Sequence, residues 1–354
     1  MPVQEPSPLR QRNPVVGNRG TQGVGGREEN DDLRLQTMTD FIRVGIVGVG
    51  SIGKNHARIY SELPGVKFAA VLDTNRETAD AISRAHGVPV ATTLGEFASM
   101  VDAATVSTPT PHHHEIGKFL LHERKHLLIE KPITETPEQA LELVKLAKDR
   151  GVVLQVGHVE RFNPVLSALE QRLTKPLFIE AHRLSPYPFR SVEIGVVLDL
   201  MIHDLEIILH LVRSPVKSID AVGIPVLSKA EDIANARIRF ESGCVANVTA
   251  SRISPEKMRK IRVFQQDAYL SLDYQNQSGE MFRLVNGMIT REAVEIEKDE
   301  PLKSELLSFV ECSRKGIQPV VSGSQASAAL ELAIEITGIT KSATDELSRE
   351  LGRR

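Results

Sequence analysis

The chain has 354 residues, of which 41% are hydrophobic and 25% charged, a composition typical of a globular protein long enough for two domains. Its net charge of −3 and its aromatic content of 4% argue against nucleic acid or an anionic membrane surface as a partner. The two cysteines exclude a disulfide framework or a thiolate zinc site and favour a reducing cytoplasm, and no apolar run approaches transmembrane length.

Residues 1–40 differ in composition from the rest of the chain. They are rich in Gly, Pro, Gln, Asn and Arg and lack hydrophobic periodicity, which predicts a disordered N-terminal extension. They contain no apolar segment of a secretory signal, and acidic residues between positions 28 and 32 argue against an organelle transit peptide. Met38 stands just before the first predicted strand, so our hypothesis is that synthesis starts there and that residues 1–37 are not made.

A Gly-x-Gly-x-x-Gly pattern follows the first apolar, β-branched stretch, which predicts a strand over residues 42–47, and opens a helix-prone segment over residues 52–63. This strand–turn–helix order is the context that a dinucleotide fingerprint requires. The glycines allow a tight turn, close approach of backbone N–H groups to a pyrophosphate and close packing of helix on strand, while the helix start offers a positive dipole end. The predicted cofactor-binding residues of this turn are Gly48, Gly50, Ser51, Ile52 and Gly53.

An acidic residue ends the second predicted strand, which covers residues 68–72. The carboxylate of Asp73 is placed to accept hydrogen bonds from the adenosine ribose hydroxyls, as in NAD sites. Arg76, three residues later, could instead accommodate the 2′-phosphate of NADP. Asp73 favours NAD as the cofactor, and NADP stays open.

Strand and helix patterns continue to alternate up to residue 157. The predicted strands are 88–91, 103–107, 127–129 and 152–156, and the predicted helices are 77–85, 113–123 and one that runs from a capping box at 136–139 to a glycine cap at 151. Repeated strand–helix units with short connections predict a parallel, doubly wound sheet.

Polar residues follow two strands of this predicted sheet directly. Thr108 and Pro109 come after one strand, and Glu130 and Lys131 come after the next. Ligands of open α/β sheets bind at the carboxyl ends of the strands, so the Lys131 ammonium is expected to face the cleft, where it can polarise a substrate hydroxyl. The alternative is a solvated lysine at a strand end.

Three adjacent histidines, His112, His113 and His114, invite a metal-site hypothesis. Neighbouring residues cannot all face one ion, and no carboxylate spacing completes a site, so the sequence predicts a loop or helix start here and no metal. The absence of a Gly-x-Ser-x-Gly motif disfavours a serine hydrolase, and the absence of a P-loop motif disfavours that type of ATP hydrolysis.

After Gly157 the predicted strands come in runs rather than alternating with helices. They cover residues 177–183, 219–226, 234–240, 244–250, 262–264, 270–273 and 281–285, with a hairpin turn at 241–243. Predicted helices cover residues 197–212, 303–314 and 324–344. This pattern predicts an α+β domain with a largely antiparallel sheet.

Asp199 and His203 lie one helical turn apart in an amphipathic stretch. This spacing places both on one face, where a carboxylate can orient an imidazole that acts as a general base. The alternative is a helix-surface ion pair with Asp204 or Glu206.

The segment 157–164, Gly-His-Val-Glu-Arg-Phe-Asn-Pro, leaves the last strand of the first half and is expected at the domain junction, where clefts form. It contributes His158 and Asn163 as candidate substrate-binding residues. Arg161, together with Arg183 and Arg190, could grip a substrate phosphate through planar donor forks. The alternative is a set of scattered surface arginines.

Taken in order, these motifs resemble the Gfo/Idh/MocA family (glucose-fructose oxidoreductase, inositol dehydrogenase and rhizopine catabolism) over roughly residues 41–345. The resemblance implies a Rossmann NAD(P)-binding domain over residues 41–157 and an α+β substrate-binding domain over residues 158–345. It also implies that the second domain carries an open-faced sheet that makes oligomer contacts, as in a homodimer or homotetramer. A C-terminal tail is expected over residues 346–354.

The resemblance also implies NAD(P)-dependent oxidation or reduction of a sugar or cyclitol. Carried over to this chain, Lys131 holds the reacting hydroxyl, His203 takes its proton and Asp199 orients the site, so these three are the expected catalytic residues. The spacing of Thr108, Pro109 and His113, and the Glu130-Lys131-Pro132 motif, imply cofactor contacts. These roles agree with the chemistry, since loss of hydride to nicotinamide requires removal of the hydroxyl proton.

Within the family, the segments 157–164 and 196–204 are most similar to the branch that acts on UDP-sugars. This similarity implies oxidation of UDP-N-acetylglucosamine to its 3-keto sugar. Met201 stands where many members have glycine between the Asp and the His, a departure that argues against an inositol dehydrogenase. Two alternatives stay open: a dehydrogenase of a free sugar or inositol, and a non-catalytic sensor of NAD or sugar.

Overall fold

The computed structural model describes residues 41–187 and 194–351. For residues 344–351 it describes the backbone only. The predicted disordered extension 1–40, the hypothesis of a start at Met38 and the candidate residue Arg190 lie outside the described residues. Within the described residues, the strands form two sheets, one of five strands and one of eight.

The first sheet is entirely parallel, with strand order β2-β1-β3-β4-β5. Its strands are β1 (Ile42–Val47), β2 (Val66–Leu72), β3 (Ala103–Val106), β4 (His126–Glu130) and β5 (Leu154–Gly157). All four residues of β3 are buried, as expected for a strand covered on both faces. The predicted parallel, doubly wound sheet is confirmed.

Helices connect these strands. They are α1 (Gly53–Glu62), α2 (Arg76–His86), α3 (Leu94–Met100), α4 (His113–His122) and α5 (Pro137–Arg150). The capping box between Thr136 and Gln139 is present, and Gly151 ends α5 with a φ of 67°. The prediction of a strand over 88–91 was wrong: Val90 makes a single bridge to Val71, because Pro89 has no N–H to extend the pairing, and α3 follows.

The second sheet has the order β13-β12-β11-β10-β6-β9-β8-β7. Its strands are β6 (Phe178–Leu184), β7 (Val216–Ile224), β8 (Ile233–Phe240), β9 (Val245–Ser251), β10 (Met258–Phe264), β11 (Tyr269–Asp273), β12 (Ser278–Val285) and β13 (Met288–Ala293). Every pair is antiparallel except β6 with β9, which confirms the largely antiparallel sheet. The sequence pattern missed β13 because this edge strand is exposed along almost its whole length and shows no alternation.

The helices of the second half are α6 (Pro164–Glu170), α7 (Ile202–Val212), α8 (Pro301–Lys315) and α9 (Gly323–Leu351). A π-helical turn over Val197–Met201 leads into α7. The sequence analysis did not predict α6, although the Asn163 cap and Pro164 at the first helical position were signals for it. Helix α9 continues to Leu351, through positions at which a tail was expected.

The C-terminal helices pack back onto the first sheet. Leu306 and Phe309 of α8 lie in one hydrophobic cluster with Val44 of β1, and Val156 of β5 donates a backbone hydrogen bond to Val321 at 3.1 Å. The described residues from Ile42 onward therefore form one compact unit, in which β1 and α8 contribute to the same core. None of the helices in the described ranges is both long and apolar enough to cross a bilayer.

Candidate active site

The glycines of the fingerprint have different roles in the turn between β1 and α1. Gly48 has a φ of 89°, and a Cβ atom there would lie 2.8 Å from the backbone nitrogen of Thr108. A Cβ on Gly53 would lie 2.1 Å from the carbonyl oxygen of Gly48. A Cβ on Gly50 would have no neighbour within 4 Å, so only this glycine leaves room for a ligand, while the other two allow tight packing of the chain on itself.

The carboxylate of Asp73 lies beside this turn and is held by it. Asp73 Oδ2 accepts a hydrogen bond from the backbone N–H of Val49 at 2.7 Å, and Oδ1 accepts one from Asn75 at 2.8 Å. Arg76 is exposed and pairs with Asp80 at 3.0 Å, so its guanidinium does not contact Asp73. The Asp73 carboxylate is therefore held in place at the end of β2, whereas the Arg76 guanidinium lies on the surface of α2.

A cavity of about 630 Å³ opens over these residues. Gly48, Gly50, Asp73, Thr108 and Pro109, all predicted to bind the cofactor, line it. Ser51 and Ile52 are exposed at the start of α1. Thr92, Thr93 and Leu94 also line the cavity, and the sequence analysis missed them because it missed α3 and the loop before it. His112 and Ile116, at the start of α4, complete the lining and were not assigned to the cofactor.

His113 is almost completely buried and is not among the residues that line this cavity, so the predicted contact with the cofactor has no support in this geometry. Its Nε2 is 2.7 Å from the carbonyl oxygen of Thr108, and its Nδ1 is 2.9 Å from that of Pro132. Burial lowers the pKa of His113, which favours the neutral ring. A neutral ring carries one N–H, so it donates to one of these two carbonyls and lies beside the other. Across the described ranges, no group of three His, Cys, Asp or Glu side chains is arranged to hold a metal ion.

Glu130 is also buried rather than cavity-facing. Its Oε1 lies 3.1 Å from Nε2 of His56, a fully buried histidine of α1 that sequence reasoning missed. Its carboxylate lies against Gly157 of β5, where a Cβ atom would come within 2.8 Å. The side chain thus fixes the end of β4 and the direction in which Lys131 leaves the strand, and a direct contact with the cofactor has no support in this geometry.

Lys131 and Asp199 meet between the two sheets. The Nζ atom of Lys131 donates to the carbonyl oxygen of Asp199 at 2.6 Å and lies 3.1 Å from its Oδ1. The Lys131 side chain is 15% exposed and that of Asp199 is 35% exposed, so the pair borders solvent. The alternative of a freely solvated lysine at a strand end is therefore excluded by its contacts.

His203 follows one helical turn after Asp199, on α7. The residue is partly exposed, and its Nδ1 is buried without a hydrogen-bond partner, so Nε2 is the ring nitrogen that is not fully enclosed. Burial, followed by the charges of Lys131 and Arg183, lowers the pKa of His203 well below 6.5. The ring is therefore neutral at neutral pH, the form in which it can accept a proton. Asp204 and Glu206 are buried and pair with Arg183 and Arg161, which argues against the alternative of a surface ion pair with His203.

His158 packs against His203 in an edge-to-face arrangement, with ring centroids 5.8 Å apart. It is 1% exposed, and neither ring nitrogen has a hydrogen-bond partner. Burial, with smaller effects of Lys131 and Arg161, lowers the pKa of His158 to about 3. This neutral ring fixes the orientation of the His203 imidazole from behind.

The predicted phosphate grip is not formed by Arg161 and Arg183. Arg183 donates to Asp204 from Nε and Nη2, at 2.8 and 3.0 Å, and to Glu160 from Nη1 at 2.9 Å. Arg161 donates to Glu206 at 2.8 Å, and the side chains of both arginines are at most 5% exposed. Their guanidiniums already serve buried carboxylates, so a direct contact with a phosphate has no support.

Asn163 also belongs to this buried network. Its Nδ2 donates to Glu160 at 3.2 Å and to the carbonyl oxygen of Tyr274 at 3.1 Å. Glu160 accepts a third side chain, Arg259, at 3.1 Å. Sequence reasoning missed Glu160 and Arg259, because positions 99 apart give no local signal of their contact. Asn163 thus fixes the loop after β5 rather than facing the cleft.

Comparison with known proteins agrees with this geometry. The family described as an oxidoreductase family with an NAD-binding Rossmann fold matches residues 42–158, and the GFO/IDH/MocA C-terminal domain matches residues 170–271. The UDP-N-acetylglucosamine 3-dehydrogenase of Acidithiobacillus ferrooxidans is 33% identical over 76% of this chain and 88% of its own length. The scyllo-inositol 2-dehydrogenase (NAD(+)) of Bacillus subtilis is 26% identical over 85% of this chain and 94% of its own length.

A solved structure of that Acidithiobacillus ferrooxidans dehydrogenase superposes on this chain with a TM-score of 0.82 at 31% identity. The match covers 85% of this chain and 98% of the solved one. The similarity therefore spans both sheets and the cleft between them.

Proposed function

Because the chain belongs to the Gfo/Idh/MocA family of oxidoreductases, we propose that it oxidises a ring hydroxyl of a sugar nucleotide, UDP-N-acetylglucosamine, to the 3-keto sugar. It is an NAD(P)-dependent dehydrogenase that acts on CH–OH groups. The observation that carries the proposal is the contact of Lys131 with Asp199, one helical turn from the neutral His203. The choice of sugar is supported by similarity to a relative named for that substrate.

The residues at the first sheet fit a nicotinamide dinucleotide. Gly50 leaves open space where a pyrophosphate would approach the start of α1, and Asp73 presents a fixed carboxylate where ribose hydroxyls can donate. A carboxylate at this place repels a 2′-phosphate, so we propose NAD rather than NADP. The cofactor, when bound, supplies the hydride acceptor.

The residues of the cleft supply the proton transfer. We assign the Lys131 ammonium to hold the reacting hydroxyl and to stabilise the negative charge that develops on its oxygen. Nε2 of His203 accepts the hydroxyl proton, which its lowered pKa permits at neutral pH. Asp199 fixes Lys131 through two contacts, and His158 fixes the ring of His203.

The proposal is tested by incubating the protein with NAD⁺ and UDP-N-acetylglucosamine and following the sugar nucleotide by mass spectrometry. 2-Oxoglutarate is included to reoxidise bound NADH, and reduced nicotinamide is followed by absorbance. Loss of two hydrogens from the sugar nucleotide, absent in a Lys131→Ala control that still binds NAD, supports the substrate and the site. An unchanged sugar nucleotide contradicts the substrate.

A panel of free sugars and inositols is the second arm of this experiment. The similarity to the scyllo-inositol dehydrogenase, which extends over 85% of this chain, makes an inositol the next candidate. Turnover of an inositol with no turnover of the sugar nucleotide replaces the proposed substrate but keeps the catalytic residues. Binding of NAD with no turnover of any substrate favours the sensor.

We propose that the chain assembles as a homodimer or homotetramer through the outer face of the second sheet. The rings of Phe264, Tyr269 and Phe282 stack there, with centroids 4.6 and 5.3 Å apart. Their strand neighbours Val263 and Leu270 face the core instead. Sedimentation velocity of the wild type and of Tyr269→Asp tests the interface, which predicts a smaller species for the variant. A monomeric wild type contradicts it.

We propose a cytoplasmic location for the enzyme. Cys244 and Cys312 are buried free thiols, which suits a reducing compartment. Fractionation of the source cells, with the protein detected by antibody, tests this location.

A further inference from the structure

We propose that Arg259 is a specificity-determining residue that binds the diphosphate of a nucleotide-sugar substrate through the Nε/Nη2 edge of its guanidinium. The inference rests on the proposed function and deepens it, because it names the part of the substrate that the chain recognises. No motif of the sequence singles out this residue.

The strand pattern directs Arg259 toward the cleft. Along β10, Ile261 and Val263 face the core and are buried, and Arg259 lies on the same face by alternation. Arg259 is paired in register with Arg183 of β6. Since Arg183 reaches Asp204, the neighbour of His203 on α7, the two arginines lie side by side next to the candidate catalytic helix.

The two arginines use the same carboxylate oxygen in the same way. Nη1 of Arg183 and Nη1 of Arg259 both donate to Glu160 Oε1, at 2.9 and 3.1 Å. In Arg183 the other edge, Nε and Nη2, holds the carboxylate of Asp204 in a bidentate pair. In Arg259 the equivalent edge has no protein partner among the described residues. The Nε/Nη2 edge thus binds both carboxylate oxygens of Asp204 in Arg183, whereas the same edge is open in Arg259.

Exposure separates the two arginines as well. The Arg259 side chain is 39% exposed, whereas that of Arg183 is 4% exposed. Contact with Glu160 orients the Arg259 guanidinium without covering its open edge, so the fork is held in place before any ligand arrives. The charge of Arg259 also contributes to the lowered pKa of His203, after burial and the larger effects of Lys131, Arg183 and His158, which places it within electrostatic reach of that ring.

The chemistry of an open guanidinium fork selects an oxyanion. Planar guanidinium groups bind the paired oxygens of phosphate bidentately. A free sugar or an inositol carries no such group, whereas a nucleotide sugar carries a diphosphate between its nucleoside and its sugar. The fingerprint at β1 and α1 provides separately for the pyrophosphate of the cofactor, so the two anions have different sites.

The test compares Arg259→Gln, Arg259→Lys and a control, Arg84→Gln. Arg84 is exposed in the last turn of α2 and lies on neither sheet. Binding of UDP alone is measured by calorimetry, followed by KM and kcat with UDP-N-acetylglucosamine. We expect Arg259→Gln to weaken UDP binding and to raise KM by about tenfold or more, with a smaller change in kcat. Arg259→Lys is expected to lie between it and the wild type, and Arg84→Gln to match the wild type.

NAD affinity, measured on the same proteins, shows that each variant is folded and separates the two pyrophosphate sites. Unchanged UDP affinity in Arg259→Gln overturns the inference and leaves the proposed function intact. Weaker NAD binding with unchanged UDP binding also overturns it, because the fork then serves the cofactor. A wild type that oxidises free sugars and binds no UDP overturns the proposed substrate, and the inference falls with it.

Discussion

Lys131 Nζ donates to the carbonyl oxygen of Asp199 at 2.6 Å and also lies 3.1 Å from its Oδ1. The two residues are 68 positions apart, and their contact joins the end of β4 to the π-helical turn before α7. The cation at the sheet edge and the base on the helix are thereby fixed relative to each other. The catalytic assignment depends on this contact more than on either motif alone.

Lys131→Ala and His203→Ala are expected to lose turnover while keeping NAD binding. Neither side chain lines the cavity over the fingerprint, so cofactor affinity has no reason to change. The expected loss in kcat is about 10²–10⁴-fold for each, the usual contribution of a positioned acid or base. Lys148→Ala, a surface change at the end of α5, is the control and should match the wild type. Retained turnover in either site variant removes that residue from the assignment.

The pH dependence of oxidation should reflect the lowered pKa of His203. A base works in its neutral form, which is lost as pH falls through its pKa, so kcat/KM is expected to hold its plateau below pH 6.5, the ordinary value for histidine. Lys131→Met removes one of the cations that lower this pKa, so the pKa should rise. An NMR titration of the His203 ring in both proteins measures this without activity. Identical titrations would contradict the electrostatic account.

Most of the first half of the fold was predictable because its signals were local, whereas the strand predicted over 88–91 was wrong and α3 was missed. The fingerprint, the capping box at Thr136 and the strand ends at Asp73 and Lys131 are all read within a few residues. Long-range partners were not predictable. The sequence predicted that the Arg183 guanidinium binds a phosphate. Only the fold shows that this guanidinium already donates to Asp204 and Glu160. The same holds for edge strand β13, whose exposure removes the alternation that marks a strand.

Gly50→Ala and Gly53→Ala should distinguish the glycine that leaves room for the cofactor from the glycine that the packing of the turn requires. A Cβ on Gly53 would lie 2.1 Å from a backbone oxygen, so this variant is expected to lose about 1–3 kcal/mol of unfolding free energy. A Cβ on Gly50 meets nothing, so this variant should keep its melting temperature and bind NAD about tenfold more weakly. Thermal unfolding and NAD titration measure both. Gly338→Ala, also without neighbours, is the control, and equal melting temperatures for the Gly50 and Gly53 variants would contradict the division.

Asp73→Ser should shift cofactor preference toward NADP. The change removes the carboxylate that repels a 2′-phosphate, while the serine hydroxyl keeps a polar group at the end of β2. We expect the ratio of kcat/KM for NADP to that for NAD to rise on the order of tenfold. Arg76→Ala in the same background should reverse part of the gain, since Arg76 is the nearby cation on α2. An unchanged ratio in Asp73→Ser would remove Asp73 from cofactor selection.

Glu305→Gln should stabilise the protein increasingly as pH rises. Glu305 is fully buried on α8, and neither carboxyl oxygen has a hydrogen-bond partner among the described residues. Burial, with the nearby charge of Glu130, raises the pKa of Glu305 well above 4.5. The protonated native form is therefore fully favoured below pH 4.5, and its contribution to stability declines as pH rises toward the native pKa.

Glutamine mimics the protonated acid and cannot ionise, so it should escape this decline. Thermal unfolding of both proteins across a pH series is expected to show a melting-temperature difference that grows with pH. Glu297→Gln, an exposed change, is the control and should show a small difference with no such trend. A constant difference between Glu305→Gln and the wild type would mean that Glu305 is ionised in the native state and that a buried cation or water stabilises it.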